Sequence, residues 1–329
     1  MRDKILKILL DNKDEFISGE SMSERLEVTR AAVWKHIKTL QSEGFKIESV
    51  SRKGYRLVGL PDKLERVTLL HGMETKALGR TVEIHESIDS TNSRAKELAL
   101  LGYPEGTLVV AEEQLKGRGR MGRSWISPAG KGIWMSLLLR PKIPPSSAPI
   151  ITSLAALAVK RALEEVAALK ASIKWPNDII LQNKKVCGIL TEIHADIDII
   201  HYVILGIGIN ANLDKEDFPK ELLDSATSIS IVLGRKVDRT ELVQAIMKHM
   251  EDIYTDYIKK GDIGSILDEC RKCSATLGRT VKVIGRDREF SGKAVDLDED
   301  GALLVLKEDG EMEKVLSGDV SVRGIGGYV

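Results

Sequence analysis

Nine consecutive residues, Gly117-Arg118-Gly119-Arg120-Met121-Gly122-Arg123-Ser124-Trp125, interleave three glycines with three arginines. Glycines let a backbone come within contact distance of a ligand, and guanidinium forks match carboxylate and phosphate oxygens. The stretch therefore reads as an anion-gripping loop. A second group with chemical potential is Lys174-Trp175-Pro176-Asn177-Asp178, where a proline inside a strand-like run implies an edge or a bulge. A third is Asp89-Ser90-Thr91-Asn92. These small polar residues either cap the following helix or hydrogen-bond a polar ring of a ligand.

The arginine loop formally matches G-x-G-x-x-G, as does 206–211 in part. A dinucleotide fingerprint must open a helix. Here Ser127-Pro128 follows the first stretch and Asn212-Leu213-Asp214 the second, so neither fits.

These residues need elements to hold them. The 329-residue chain is 43% hydrophobic and 30% charged with zero formal net charge, which fits two or three soluble domains and argues against wholesale coating of nucleic acid. The charged start Met1-Arg2-Asp3-Lys4 lacks a signal-peptide core, and no apolar run reaches the roughly 18 residues that span a bilayer, so a cytoplasmic protein without membrane contact is expected. Three cysteines suit a reducing compartment. Cys270 and Cys273 form a single CxxC with no second pair for zinc, so they read as ordinary helix residues.

Residues 1–60 carry helix-turn-helix patterning. Ile5, Leu6, Ile8, Leu9 and Leu10 mark one helix; Ser21 and Glu24 have capping-box spacing for a second; Thr29 can cap a third through Val33, Ile37 and Leu40, with Glu27-Val28-Thr29 as the turn. Strands at 46–50 and 55–58 around Ser51-Arg52-Lys53-Gly54 add a wing. Twelve Lys and Arg against nine Asp and Glu give this segment a net of +3. Arg30, Trp34, Lys35, Lys38, Arg52 and Lys53 are the DNA-binding candidates, the alternative being a winged helix used for protein contact. Pro61-Asp62 marks a linker.

Residues 65–272 read as a mixed α/β domain. Strands at 82–85, 107–111 and 132–139, a long apolar helix at 151–168, and strands flanking a tight turn at Gln182-Asn183 are expected. The strand at 107–111 should deliver Glu112, Glu113 and Gln114 to the mouth of the arginine loop. Residues 274–329 look like a small β-barrel of short strands at 280–284, 289–296, 302–307 and 313–316.

In order, Asp89-Ser90-Thr91-Asn92, the loop 117–125 with Ser127-Pro128, Lys174-Trp175-Pro176-Asn177-Asp178, Lys185 through Gly188-Ile189-Leu190, and Gly206-Ile207-Gly208-Ile209-Asn210 resemble the motifs of biotin protein ligases. With a winged helix in front and an SH3-like domain behind, nearly the whole chain resembles the bifunctional class that is both biotin ligase and biotin-operon repressor, a multidomain α+β architecture. The resemblance implies that biotin and ATP give biotinyl-5′-AMP, with Mg²⁺ carried on the nucleotide and no metal site of the protein's own. A lysine of a biotin carboxyl carrier protein then takes the biotin. Operator DNA and a homodimer with the adenylate as corepressor are implied as well.

By position, the resemblance puts Ser90, Thr91, Asn92 and Gln114 at the ureido ring and Trp125, Trp134, Gly188 and Gly206 around an apolar biotin pocket, with Gly117, Arg118, Gly119 and Arg120 also binding biotin and Arg118 to Arg120 folding over the adenylate phosphate. Lys185 would hold carboxylate and phosphate together, and Arg123, Asn177 and Asn210 would face the nucleotide. Arg120, Lys185 and Asp178 are the catalytic candidates, Asp178 to deprotonate or orient the acceptor lysine, with a strand-end cap as its bland alternative. Residues 214–236, expected to fold over adenine, contain Phe218 but no tryptophan. Gly318-Asp319-Val320-Ser321-Val322-Arg323 has Asp where the family run has Glu. A lipoyl or octanoyl transferase shares the architecture but lacks the arginine loop, and a regulator that only senses its ligand has no use for the cations.

Overall fold

The structure is a computed structural model that describes residues 1–285, 289–317 and 321–324. The chain forms two compact units, Met1–Met73 and Glu74–Val329.

In the first unit, helices α1 (Arg2–Asp11), α2 (Gly19–Leu26) and α3 (Arg30–Ser42) precede a hairpin of β1 (Lys46–Val50) and β2 (Gly54–Gly59), and α4 (Arg66–His71) closes it. Ile5, Leu6, Leu9, Met22, Val33, Ile37, Leu40 and Leu57 make one core. Thr29 Oγ1 accepts from the Ala32 N–H, the cap expected for α3. The cap of α2 is Ser18, whose Oγ accepts from the Ser21 N–H; Ser21 and Glu24 lie inside the helix, not at its start. Gly54 has φ +109°, and a Cβ there would stand 2.0 Å from the Ile17 carbonyl, so only glycine lets the wing close against residue 17. The unit does not stop at the linker: the Arg2 guanidinium bonds Glu65 at 2.9 Å, and Val67 packs on the core. Arg30, Trp34, Lys35, Lys38, Arg52 and Lys53 are all exposed.

The second unit is built on a seven-stranded sheet. Its strands are β3 (Val82–His85), β4 (Leu108–Ala111), β5 (Ile133–Leu139), β6 (Ser172–Lys174), β7 (Asp178–Leu181), β8 (Lys184–Ala195) and β9 (Ile200–Ile209). Their spatial order is β3-β4-β5-β9-β8-β7-β6, antiparallel except for β3 with β4. Helix α5 (Thr91–Leu100) packs on one end, and the apolar α6 (Ile150–Ala167) is buried along most of its length. Helices α7 (Ile229–Leu233), α8 (Arg239–Lys260) and α9 (Gly264–Lys272) follow. Pro176 does not interrupt a strand. It occupies the turn joining β6 to β7, after a cis Trp175-Pro176 bond.

The C-terminal sheet has five antiparallel strands, β10 (Thr280–Ile284), β11 (Glu289–Leu297), β12 (Leu303–Lys307), β13 (Met312–Val315) and β14 (Ser321–Gly324), ordered β13-β12-β11-β10-β14. It belongs to the same compact unit as the larger sheet. Gly318-Asp319-Val320, where Asp stands in place of Glu, lies outside the described residues. Cys270 is on α9 and Cys273 just past its end; burial pushes their thiols up to about 12 and about 11, and no disulfide joins them. Among the described residues no helix is long and apolar enough to cross a membrane, and no group of three His, Cys, Asp or Glu could hold a metal ion.

Candidate functional site

One cavity of about 890 Å³ gathers most of the residues singled out above. The start of α5, the loop 118–126, the β6–β7 turn, the first half of β8, the end of β9, part of 213–226 and strand β14 all line it.

At one end the polar groups form a chain. Ser90 begins α5 without a side-chain cap bond, and the next two side chains turn to the sheet. Thr91 donates from N and Oγ1 to Gln114 Oε1 at 2.9 and 3.1 Å, and Gln114 Nε2 donates to Ser127 Oγ at 3.0 Å. Ser136 Oγ lies 2.8 Å from Thr91 Oγ1 and 2.5 Å from Asn92 Oδ1. Asn92 Nδ2 donates to Glu192 Oε2 at 2.8 Å. Such fixed amides and hydroxyls suit a small ring carrying both donors and acceptors. Gly206 lines the cavity here. It clears space for Asn92, since a Cβ would fall 2.2 Å from Asn92 Oδ1.

Gly188 and Gly208 face each other across β8 and β9 and leave a slot filled by the Trp125 ring. A Cβ at either position would come within 2.9 or 2.6 Å of the indole. The indole N–H is buried without an acceptor among the described residues, which a ligand oxygen or water would supply. Lys185 Nζ stands 5.0 Å over the Trp125 ring and 2.6 Å from Asp178 Oδ1. The strand pairing of Lys185 with residues 225–227 holds that backbone in place.

The loop arginines diverge. Arg118 Nη2 donates to Glu192 at 3.1 Å and Ser93 at 3.3 Å, Arg120 bonds Asn177 Oδ1 at 2.9 Å and the Ser317 carbonyl, and Arg123 is exposed at the rim. Asn177 Nδ2 donates to the Ile189 carbonyl and Asn210 Nδ2 to the Thr227 carbonyl. No helix follows the loop: Arg120–Gly122 is one 3-10 turn, and 206–209 lies within β9, so the dinucleotide fingerprint is absent at both places.

Ser90, Thr91, Asn92, Gln114, Arg118, Gly119, Arg120, Arg123, Trp125, Asn177, Asp178, Lys185, Gly188, Gly206 and Asn210 all line the cavity. Gly117 and Trp134 do not. Gly117 is buried beneath the loop, where a Cβ would meet the Trp125 carbonyl at 2.4 Å. Trp134 is fully buried against Gly132, Leu213 and Phe218, and Trp125 packs on that cluster, so Trp134 is the floor under the slot rather than its wall. Glu112 is also misplaced by the sequence reading: it forms a buried ion pair with Arg239 at 2.7 Å, away from the loop mouth.

Sequence reasoning gave no role to Lys174, Ser136, Glu192 or Gly208. Lys174 lines the cavity almost fully buried; burial, with the charges of Lys185, Arg323 and Arg123, outweighs the pull of Asp178 and brings its ammonium down to about 8. Ser136 had a legible signal as the one hydroxyl in an otherwise apolar run. Phe218, 9% exposed, is the aromatic that the segment 214–236 places at the wall, and Lys131 ties that segment down through Asp214 and Asp217.

The chain is similar to known proteins along its length. Residues 84–210 match the Biotin/lipoate A/B protein ligase family, residues 2–56 an HTH domain, and residues 276–323 the Biotin protein ligase C terminal domain. The bifunctional ligase/repressor BirA of Bacillus subtilis (strain 168) is 42% identical over 322 residues, covering 98% of each chain. That of Escherichia coli (strain K12) is 30% identical over 324 residues, covering 97% of this chain and 96% of its own. The biotin protein ligase of Aquifex aeolicus, solved in complex with biotin and ATP, superposes with a TM-score of 0.65 at 34% identity, covering 75% of this chain and all of that one. With a helix-turn-helix unit ahead of a ligase domain and its C-terminal sheet, this chain belongs to the bifunctional biotin protein ligase and repressor family.

Proposed function

We propose that this chain joins biotin to ATP as biotinyl-5′-AMP, passes the biotin to a lysine of a biotin carboxyl carrier protein, and represses transcription according to biotin supply. The observation that carries the ligase reading is that one cavity joins a polar ring-binding end to a cluster of cations. In the first step a biotin carboxylate oxygen attacks the α-phosphorus and pyrophosphate leaves. Two anions must meet, and Lys185 beside the Trp125 slot is positioned to bridge them, with Arg118, Arg120 and Arg123 as loop cations and Asn177 and Asn210 on the nucleotide side. Mg²⁺ brought in with the nucleotide adds charge neutralisation of the triphosphate.

Ser90, Thr91, Asn92 and Gln114 read the ureido ring, and Phe218 offers a face to adenine. In the second step the acceptor amine attacks the acyl carbon and AMP leaves. Asp178, now ion-paired with Lys185, takes the proton that the acceptor ammonium must lose first.

For regulation, Arg30, Trp34, Lys35 and Lys38 on α3 and Arg52 and Lys53 on the wing meet operator DNA, and the adenylate acts as corepressor by favouring a homodimer. Dimerisation is supported by β8, whose residues 191–195 pair with β9 on one side and with no strand on the other among the described residues. Demand for ATP and three unpaired cysteines favour a cytoplasmic setting.

Incubation with ATP, Mg²⁺ and biotin or lipoate, followed by pyrophosphate release and acceptor mass, tests the enzyme; silence with biotin sinks the reading. A gel shift indifferent to biotin plus ATP removes the corepressor role while leaving the ligase.

A further inference from the structure

Glu192 does not line the cavity, yet it ties together two parts of the site that the chain brings from far apart. On β8, its Oε2 accepts from Asn92 Nδ2 at 2.8 Å and from Arg118 Nη2 at 3.1 Å. One donor belongs to the ring-binding end and the other to the arginine loop.

The Asn92 amide has little freedom of place. It is 5% exposed, and the absence of a side chain at Gly206 leaves only enough room for the amide itself. Its orientation is a separate matter. The Ser136 hydroxyl on one side can donate or accept, so it is satisfied by either end of the amide. The Leu190 carbonyl on the other side is 3.4 Å away, at the limit of a useful hydrogen bond. An ionised carboxylate only accepts. Glu192, with only the long bond to the Leu190 carbonyl beside it, is therefore the main group that makes the amide present NH₂ toward β8 and its carbonyl toward Ser136. The same oxygen holds Arg118 beside the ring-binding end.

We infer that Glu192 is a positioning residue of the ligase site: its charge sets the orientation with which Asn92 reads the ring of the ligand, and it holds Arg118 until an incoming anion draws the guanidinium away. The inference rests on the biotin reading above. An uncharged side chain of the same shape would leave the Asn92 amide able to face either way and would release Arg118 early. Ring recognition then suffers while nucleotide binding does not.

The test compares wild-type, Glu192→Gln and Glu192→Asp in pyrophosphate release, with KM measured separately for biotin and ATP, and with thermal melting. Glu192→Gln is expected to raise the biotin KM about fivefold to tenfold, the loss of one charge-assisted hydrogen bond, and to leave the ATP KM within twofold or lower it. Glu192→Asp keeps the charge one carbon further back and recovers part of the loss. A Glu192→Gln protein that melts early with an unchanged biotin KM, or in which both KM values rise together, overturns the assignment. Wild-type protein that releases no pyrophosphate with biotin takes down the functional reading as well, whereas active wild-type matched by Glu192→Gln takes down only the role of Glu192.

Discussion

Gly206→Ala isolates a single collision. Gly206 lies in β9 with φ outside the left-handed region, so alanine adopts its backbone without strain. The new Cβ would stand 2.2 Å from Asn92 Oδ1, 2.9 Å from its Cγ and 3.0 Å from its Nδ2. Non-bonded contacts relax near about 3.5 Å, so the amide must withdraw by roughly 1 Å. That stretches or breaks the bonds to Ser136 and Glu192, now 2.5 and 2.8 Å. A neutral hydrogen bond is worth about 1 kcal/mol and one to a charged group about 1.5–3, so the total loss is about 2.5–4 kcal/mol. It divides between folding stability and ring-ligand affinity. Calorimetric titration with biotin and a thermal melt of the same preparation measure the two shares. At least a tenfold weakening of biotin binding is expected. An unchanged melt together with biotin affinity within twofold of wild type would show that Asn92 is neither held there nor used to read the ring.

Arg120→Ala removes the bonds to Asn177 and the Ser317 carbonyl, and should speed release of preformed adenylate at least about tenfold while biotin affinity changes less than about threefold; equal losses in a chase experiment and in calorimetry refute the distinction. Lys174 has a folded pKa of about 8, lowered from its ordinary value, so between that pH and about 10.5 the unfolded chain holds a proton that the folded chain has lost, and its contribution to stability rises with pH. Over the same rise through about 8 the site loses a positive charge, so the KM for ATP should climb between pH 7 and 9.5; a flat profile, or one unaltered by Lys174→Met, refutes that part. Burial raises the Glu251 carboxyl, but three N–H donors at Lys76, Ala77 and Leu78 outweigh it and hold the group below the usual range. That stabilisation is present above the ordinary glutamate pKa and is lost as pH falls through the depressed value. Glu251→Gln should therefore melt lower than wild type by about 1–2 kcal/mol at neutral pH, with the gap closing in acid; a gap independent of pH refutes the linkage.

Much of the architecture was readable because it depends on local rules. The apolar spacing of Val33, Ile37 and Leu40 with a threonine ahead defines α3, and the Gln182-Asn183 turn adopts the left-handed conformation expected of a tight hairpin. Position-for-position motif reading also placed most of the cavity lining. It failed where the partner is distant in sequence. Ser21 looked like a cap because spacing cannot tell which of two nearby serines leaves the helix. Trp134 was placed at the pocket by motif likeness and Glu112 by its nearness in the chain to the arginine loop, although one packs beneath Trp125 and the other pairs with Arg239 across 127 positions.

The amino-acid order alone thus determined the succession of winged helix, mixed α/β domain and C-terminal strands, since capping, periodicity and residue type are properties of neighbours, while the ligand chemistry followed from the resemblance of its motifs to biotin protein ligases. Only tertiary structure decided that Gly206 is a space for an amide, that Gly188 and Gly208 make a slot for Trp125, and that Glu192 joins Asn92 to Arg118. Those are choices of burial and partner. They are settled when strands β8 and β9 pair and bring α5 and the arginine loop onto the same face, a closeness that no local pattern encodes.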